Sequence, residues 1–166
     1  SAASDVYKRQ AISGRIQDGD IILDAGSGFG NMSKTALDIT NGKVKIVMCD
    51  PLLPMIKNTD RLFKTKPEAA CGVFEHTPFR NQQFDVVLSG YSLRDAISLK
   101  TAISEIHRVL KNDGKWIIVD LGKPDKAIVR FGVSFYLKLI LPIVAYLAGG
   151  KLGLKFATLY GTYKLW

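Results

Sequence analysis

The apolar residues of this 166-residue chain are concentrated in short runs that have the length of β-strands. Within these runs valine, isoleucine and leucine mostly follow one another without regular alternation with polar residues. That pattern is typical of parallel strands that are buried on both faces of a sheet. The sequence therefore predicts five strands, at Ile21–Ala25, Val44–Asp50, Cys71–Glu75, Phe84–Ser89 and Trp116–Leu121.

Helical patterns lie between most of these runs, and the best of them covers Asp95–Lys111. Apolar side chains recur there at helical spacing, and Asn112-Asp113-Gly114 is expected to end the run. Strands that alternate with helices in this way predict an α/β domain, in which right-handed crossovers build a doubly wound sheet.

Residues 127–150 have a different character, since Arg130 and Lys138 are their only charges. The longest uncharged stretch, Leu139–Gly150, has 12 residues and contains Pro142 as a potential helix breaker. A helix that crosses a bilayer needs about 20 apolar residues. The sequence therefore predicts that this segment does not span a membrane and forms either a pair of core helices or an apolar helical segment at an interface.

Composition adds two constraints. The chain carries a net charge of +8, which either marks an acidic partner or belongs to a solvated basic surface. The only two cysteines, Cys49 and Cys71, form no CxxC pair, so we expect no zinc or other metal site and no redox pair. Buried reduced thiols are in keeping with a cytoplasmic protein.

The first ten residues need separate treatment. Ser4–Gln10 reads SDVYKRQ, which looks like one reading frame of a transposon-end adaptor used in preparing DNA for sequencing. We therefore expect residues 1–10 to be foreign to the natural protein and the domain proper to occupy residues 11–166.

A glycine-rich turn follows the first predicted strand and reads Asp24-Ala25-Gly26-Ser27-Gly28-Phe29-Gly30. Glycines let the backbone approach a ligand, and the helix expected from Asn31 presents free N–H groups to an anion. Asp50 ends the second predicted strand, 20 residues beyond Gly30, where a carboxylate can bind the hydroxyls of a ribose. The dinucleotide fingerprint GxGxxG needs glycine at position 31, where this chain has Asn, so the pattern favours S-adenosylmethionine (SAM) over NAD as the cofactor. A P-loop is excluded because no GK[ST] follows the glycines.

Longer motifs carry a family resemblance. The chain resembles the SAM-dependent C-methyltransferases of ubiquinone and menaquinone biosynthesis, which belong to the class I methyltransferase superfamily. The resemblance implies a Rossmann-like parallel sheet in the order 3-2-1-4-5, with the family's helical region before the first strand and its final two strands missing. The motifs are ILDAGSGFG, GVFEHTPF, FDVVLSGYSLRDA and AISEIHRVLKNDGKWIIVDLGKP.

The resemblance also implies roles for individual residues. Asp50 is expected to bind the ribose of SAM, and Gly90 to lie where the loop after the fourth strand passes the sulfonium. Arg94 and Asp95 are expected to be the catalytic residues. Gly26, Gly28 and the backbone around Phe29 are expected to hold the methionine end of SAM, and Val73 and Phe74 to occupy the adenine-contact positions. Asp24 and Gly30 are expected to belong to the same cofactor site.

Two positions depart from the family pattern. Val73 replaces an Asp or Asn that accepts the adenine amino hydrogen, which leaves backbone groups or Glu75 for that contact. Asp95 replaces an Asn, so the arrangement that would receive a proton is altered. Tyr91 is expected either to line the pocket or to pack in the core.

The implied reaction is methyl transfer to a ring carbon of a prenylated quinone precursor, a lipophilic acceptor met in the cytoplasm at the membrane surface. Nucleic acid is not expected as a partner, because SGYS stands where base N-methyltransferases carry [DNS]PP[FYW] and neither cysteine is placed as a nucleophile. Three alternatives remain: another small-molecule or lipid methyltransferase, an NAD(P)-dependent oxidoreductase, and a non-catalytic SAM-binding subunit. The sequence does not determine the oligomeric state.

Overall fold

The computed structural model describes residues 2–59, 61–120 and 126–144, apart from the side chains of residues 2–4. The chain divides into two compact units after Asp120. The first unit contains the sheet and the candidate site, and the described part of the second unit is helical.

Five parallel strands form one sheet, in the order β3-β2-β1-β4-β5. This confirms both the α/β fold and the predicted strand order. The central strand β1 pairs residue by residue with β2, for example Leu23 with Val47, and with β4 through Leu23 and Val87. The strands are β1 Ile21–Ala25, β2 Lys45–Cys49, β3 Glu68–Ala70, β4 Phe84–Gly90 and β5 Leu110–Val119.

Helices lie between β1 and β2, between β2 and β3 and between β4 and β5, whereas β3 and β4 are joined by a loop. A 3-10 turn, Leu93–Asp95, precedes the fourth α-helix, and a π-helical segment, Tyr136–Ile140, follows the fifth. The α-helices are α1 Ala2–Ile12, α2 Asn31–Ile39, α3 Leu53–Lys57, α4 Leu99–Val109 and α5 Ala127–Phe135.

The sheet is buried on both faces, as the unbroken apolar runs predict. Successive residues of the central strands belong to two different core clusters: Ile22 packs with Met32 and Ala36 of α2, whereas Leu23 packs with Ala102 and Ile106 of α4 and their neighbours. The alternation places one layer of helices on each side of the sheet.

The predicted bounds of the third strand, of the helix before the fifth strand and of the fifth strand itself are wrong. The third strand is Glu68–Ala70 instead of Cys71–Glu75, because the chain turns after Gly72 and the Val73 carbonyl accepts a hydrogen bond from the His76 N–H at 3.1 Å. The predicted run is therefore a loop beyond the end of the strand. It projects over the same edge of the sheet as the glycine-rich turn.

The helix predicted from Asp95 begins at Leu99. Ser98 is its N-cap, and the Ser98 hydroxyl accepts a hydrogen bond from the Thr101 N–H. Asp95 belongs instead to the preceding 3-10 turn. Asn112-Asp113-Gly114 lies inside β5, where the pairing with β4 shifts between Phe84 and Val86.

The amino-terminal segment is helical. Within α1, Lys8 and Ile12 are buried, whereas Val6 and Tyr7 are exposed. The foreign origin of residues 1–10 stays a prediction.

In the second unit, helical residues run without interruption from Ala127 through the π-helical segment to Val144. Pro142 lies inside this run, so the expected break there is wrong, and residues 145–150 lie outside the described part of the chain. The helix has 18 residues and a mean hydropathy of 1.8. By length and composition it could cross a membrane, contrary to our expectation, although core helices of soluble proteins meet the same criteria.

Candidate active site

A cavity of about 760 Å³ lies at the carboxyl edge of the sheet. Segments that follow β1, β2, β3 and β4 line it, which is where open α/β sheets bind their ligands. Its volume is within the range of about 300–1,000 Å³ typical of small-molecule sites. All the predicted site residues line this cavity except Gly30, which is the N-cap of α2 and packs against Met48 and Phe63.

The glycine-rich turn is fixed by close packing. Gly26 has a φ of +66°, and a Cβ added there would lie 2.5 Å from the Cβ of Ser92. The Ser92 hydroxyl donates a hydrogen bond to the Ala25 carbonyl at 3.1 Å, which brings the segment after β4 against the turn. A side chain at position 26 would therefore separate two walls of the cavity.

Asp50 connects two of these segments. Its Oδ2 accepts a hydrogen bond from the Gly28 N–H at 2.8 Å, and its Oδ1 accepts one from the Leu52 N–H at 2.8 Å. Each carboxylate oxygen can still accept a second hydrogen bond. Asp50 is thus able to bind hydroxyl groups of a ligand while it holds the glycine-rich turn in place.

Asp24 is completely buried beneath the turn. Its Oδ2 accepts hydrogen bonds from the Ser33 N–H at 2.9 Å and the Ser33 hydroxyl at 2.6 Å. Its Oδ1 and the Oγ of Ser27 are buried, and within the described structure neither has a hydrogen-bond partner. Burial, together with the negative charge of Asp50, raises the pKa of Asp24 to about 6 against the lowering effect of the Ser33 hydrogen bonds and of the charge of Lys8.

The loop after β3 is held by two carboxylates. Glu75 Oε1 accepts a hydrogen bond from the Ser98 N–H at 2.9 Å, which ties the loop to the start of α4. Glu105 on α4 accepts hydrogen bonds from the Thr77 N–H and hydroxyl at 2.8 and 2.7 Å. Arg108 donates to Glu105, and its hydrogen bond is the main reason that the pKa of Glu105 falls to about 2.

The segment after β4 forms the remaining wall. Tyr91 lines the cavity with a φ of +59°, a conformation that is rare for a residue with a side chain, and its N–H donates to the Val119 carbonyl at 2.7 Å. Arg94 and Asp95 follow at the same wall, and none of the ion pairs found in the described residues joins them.

The sequence pattern did not identify Ser27 or Ser33 as part of this site. Ser33 lies nine residues beyond Asp24 on the first turn of α2, a position where a hydroxyl can reach back to the strand end. Among the described residues, no group of histidines, cysteines and acids is arranged to hold a metal ion.

A glycine-rich turn, an acidic residue at the end of the next strand and a cavity across the switch point are together typical of α/β domains that bind nucleoside cofactors. The family model of the methyltransferase domain matches residues 23–118, which include all of β2, β3 and β4 and most of β1 and β5. The chain belongs to this family of SAM-dependent methyltransferases. The membership places the chain among the methyltransferases and not among the NAD(P)-dependent oxidoreductases that remained as an alternative from the sequence.

The chain is 45% identical over 74 residues to the demethylmenaquinone methyltransferase of Leptospira interrogans, an alignment that covers 44% of this chain and 30% of the relative. It is 30% identical to the demethylmenaquinone methyltransferase of Symbiobacterium thermophilum, with coverage of 76% and 52%. This chain thus spans about half the length, or less, of these relatives.

Solved structures agree in fold. The YcgJ protein of Bacillus subtilis superposes with a TM-score of 0.65 at 20% identity, over 83% of this chain and 59% of that protein. A SAM-dependent methyltransferase of Aquifex aeolicus gives a TM-score of 0.59 at 17% identity, over 72% and 70%. Identities this low support the class I methyltransferase fold and no finer statement.

Proposed function

We propose that this chain binds SAM in the cavity and transfers its methyl group to a ring carbon of a prenylated quinone precursor. The observation that carries the proposal is the set of polar groups at the carboxyl edge: two buried oxygens without partners, on Asp24 and Ser27, lie beside the hydroxyl-binding carboxylate of Asp50. Such groups fit the ammonium and the ribose of SAM, which supplies an electrophilic methyl group on a sulfonium when it is bound.

The protein contributes position and electrostatics to such a reaction. Asp24 and Ser27 offer acceptors to an ammonium group, and Asp50 offers acceptors to ribose hydroxyls. Arg94, at the wall after β4, can stabilise the negative charge of a phenolate acceptor, because a guanidinium is always protonated. Asp95 is placed beside it to receive a phenolic proton directly or through a water.

The acceptor is inferred from relatives. The printed names of two matched relatives describe demethylmenaquinone methyltransferases, and others describe ubiquinone/menaquinone biosynthesis C-methyltransferases. These names support a quinone-type acceptor for the whole protein. Another lipid or small-molecule acceptor and a non-catalytic SAM-binding role are the competing proposals.

Isothermal titration of this chain with SAM and with NAD tests the cofactor. We expect SAM to bind and NAD not to bind, and Asp50→Ala to weaken SAM by roughly ten- to a hundredfold, the equivalent of about 1.5–3 kcal/mol for a lost charged acceptor. Asp113→Ala, which removes an exposed carboxylate outside the cavity lining, is the matched control. Unchanged SAM affinity in Asp50→Ala would contradict the assignment of Asp50.

Turnover of a demethylated quinol by the whole protein separates the acceptor proposals. Methylation of that quinol and not of unrelated phenols supports the quinone acceptor, whereas SAM binding without any turnover supports the non-catalytic role.

We also propose that the helix from Ala127 to Val144 contacts an anionic membrane surface from the cytoplasm. Lys126, Arg130 and Lys138 lie on or beside the helix, no acidic residue interrupts it, and none of the residues of α5 is buried in this structure. Each cation near such a surface contributes about 1 kcal/mol. Co-sedimentation with liposomes should require anionic lipid and weaken with salt. No association under any lipid or salt condition would refute the proposal.

A further inference from the structure

A surface that is both basic and apolar lies at the rim of the cavity, on the side formed by the segment after β2. Leu52 lines the cavity and is nevertheless 52% exposed, and Leu53, the first residue of α3, is 49% exposed. The Leu52 N–H donates to Asp50 Oδ1 at 2.8 Å, which fixes the start of α3 beside the cavity. Lys57 follows Leu53 by four residues on α3, so the two side chains lie on one face of the helix.

The loop after α3 brings more cations to this surface. Residues 57–66 contain four cations and one acid, Asp60, so the segment has a net charge of +3. The Lys66 ammonium donates to the Lys57 carbonyl at 3.1 Å, which closes the segment into a loop at the end of α3. Between these ends Phe63 packs against the core and against the glycine-rich turn. The loop is therefore anchored beside the cavity.

Three cations of this region are available to a partner. Lys57, Arg61 and Lys64 are exposed, and none of the ion pairs found in the described residues includes them. We define the basic rim as the exposed surface of Leu52, Leu53, Lys57, Arg61 and Lys64. Unpaired cations beside exposed leucines complement a partner that is anionic and apolar at once, as the headgroup layer of a bilayer is.

Nucleic acid is the other polyanion that such cations could attract. Single strands are typically held by cations together with aromatic side chains on which the bases stack. Phe63 is the only aromatic residue in the segment 57–66, and it packs against the core. The exposed apolar side chains of the basic rim are leucines, which enter the boundary between headgroups and acyl chains but offer no ring for stacking. The rim therefore favours a lipid surface.

We propose that the basic rim docks on an anionic membrane surface and holds the mouth of the cavity against the bilayer. The proposal rests on the proposed function, because a prenylated acceptor whose tail stays in the bilayer would enter the cavity past Leu52. It uses residues of the first unit only. It is therefore tested separately from the helix that runs from Ala127 to Val144.

Co-sedimentation of this chain with vesicles of phosphatidylcholine, alone or mixed in equal parts with phosphatidylglycerol, tests the rim. The variant Lys57→Gln/Arg61→Gln/Lys64→Gln removes its three cations and should bind the anionic vesicles at least about tenfold more weakly than wild type at low salt. A single-stranded RNA oligonucleotide at the same salt concentration tests the other polyanion. Loss of RNA binding in this variant, with unchanged binding to anionic vesicles, would overturn the proposal.

A matched control separates position from net charge. It neutralises one arginine and two lysines that are exposed, outside the cavity lining and in none of the ion pairs of the described residues: Arg80→Gln/Lys100→Gln/Lys115→Gln. Its affinity for anionic vesicles should stay within about threefold of wild type, because charges beyond a Debye length of the membrane are screened. Equal losses in the two triple variants would show that net charge alone governs binding, and the proposal would fail.

The leucines provide a second readout, which salt does not screen. Leu53→Ser should weaken binding to anionic vesicles by roughly three- to tenfold at low and moderate salt alike, because it removes apolar area that enters the interface. Leu99→Ser is the control, since Leu99 is the first residue of α4, is 50% exposed and lies outside the cavity lining. If the two serine variants bind alike, the rim does not enter the membrane and the proposal is wrong.

Titration with SAM keeps the proposed function separate. The variant without the three rim cations should bind SAM within about threefold of wild type, because these side chains do not line the cavity. If wild type binds no SAM, the proposed function fails. If wild type binds SAM but no anionic vesicles, SAM binding stands, whereas this inference and the proposed membrane contact of the helix fall together. If wild type binds both and the two triple variants bind vesicles equally, this inference alone is overturned.

Discussion

Replacing Asp24 with asparagine tests the reasoning about the buried carboxylate most directly. Asparagine has nearly the same shape, and its carbonyl oxygen can take the place of Oδ2 as acceptor for the Ser33 N–H and hydroxyl. The variant removes the ionisable group and leaves the packing beneath the glycine-rich turn in place. Its effect should therefore depend on pH in a way that a packing defect does not.

The magnitude follows from the pKa. Burial raises the pKa of Asp24 from 3.8 to about 6, so the folded state holds the proton more tightly than the unfolded state does. Folding stability consequently falls as pH rises from about 4 to about 6, and the full cost of about 3 kcal/mol is present above pH 7. Asparagine does not titrate, so the stability of Asp24→Asn relative to wild type should rise by up to about 3 kcal/mol between pH 4 and pH 7.5.

Urea denaturation of both proteins at pH 4, 5, 6, 7 and 7.5 measures this difference. Using the difference at each pH cancels the titration of all other groups and any constant cost of burying the amide. Asp18→Asn, at an exposed aspartate paired with Lys43, is the control and should show no such rise. A difference between Asp24→Asn and wild type that stays constant from pH 4 to pH 7.5 would refute the claim that burial perturbs Asp24.

Two further predictions concern packing and the loop after β3. Gly26→Ala and Gly42→Ala both place a side chain at positive φ, but of these two only the Cβ at position 26 has a near neighbour. Thermal unfolding should therefore show a loss of stability of roughly 1 kcal/mol for Gly42→Ala and a clearly larger loss, with loss of SAM binding, for Gly26→Ala. Equal losses of stability would contradict the steric argument. Glu105→Gln should cost about 2 kcal/mol at neutral pH, because it removes the charge that Arg108 and Thr77 bind. Since the pKa of Glu105 is lowered from 4.5 to about 2, that stabilisation is present above pH 4.5 and is lost as pH falls toward 2. If Glu105→Gln destabilises the protein equally at every pH in this range, the charge of Glu105 is not the source of the stabilisation.

The sheet could be predicted because its signal is local. Runs such as Phe84–Ser89 have nearly every residue buried, and burial on both faces is typical of a central strand of a parallel sheet. The segment Cys71–Glu75 has a similar composition, yet it forms a loop. Its apolar side chains are accounted for by the cavity at Val73 and by the core at Phe74, which a hydrophobicity pattern cannot distinguish from burial in a sheet.

The site could be predicted only as far as its motif reaches. The glycine-rich turn and Asp50 are recognisable from spacing, because the strand end and the helix start fix their positions. Ser33 and Glu105 belong to the same architecture, but their partners lie 9 and 28 residues away in sequence and meet them only after the helices pack. The engagement of both Asp50 oxygens with backbone N–H groups also depends on the folded turn.

Asp24 and Asp50 line the same cavity but differ in their hydrogen bonding and solvation. Asp50 receives two backbone hydrogen bonds, whereas Asp24 is desolvated and keeps one oxygen without a partner in the described structure. The second arrangement is unfavourable for the free protein, because burial, and to a smaller extent the negative charge of Asp50, make the ionisation of Asp24 costly. A ligand that brings an ammonium group would supply the missing partner and lower the pKa of Asp24 again. Binding should therefore release protons near pH 6, and the heat of binding at that pH should depend on the ionisation enthalpy of the buffer.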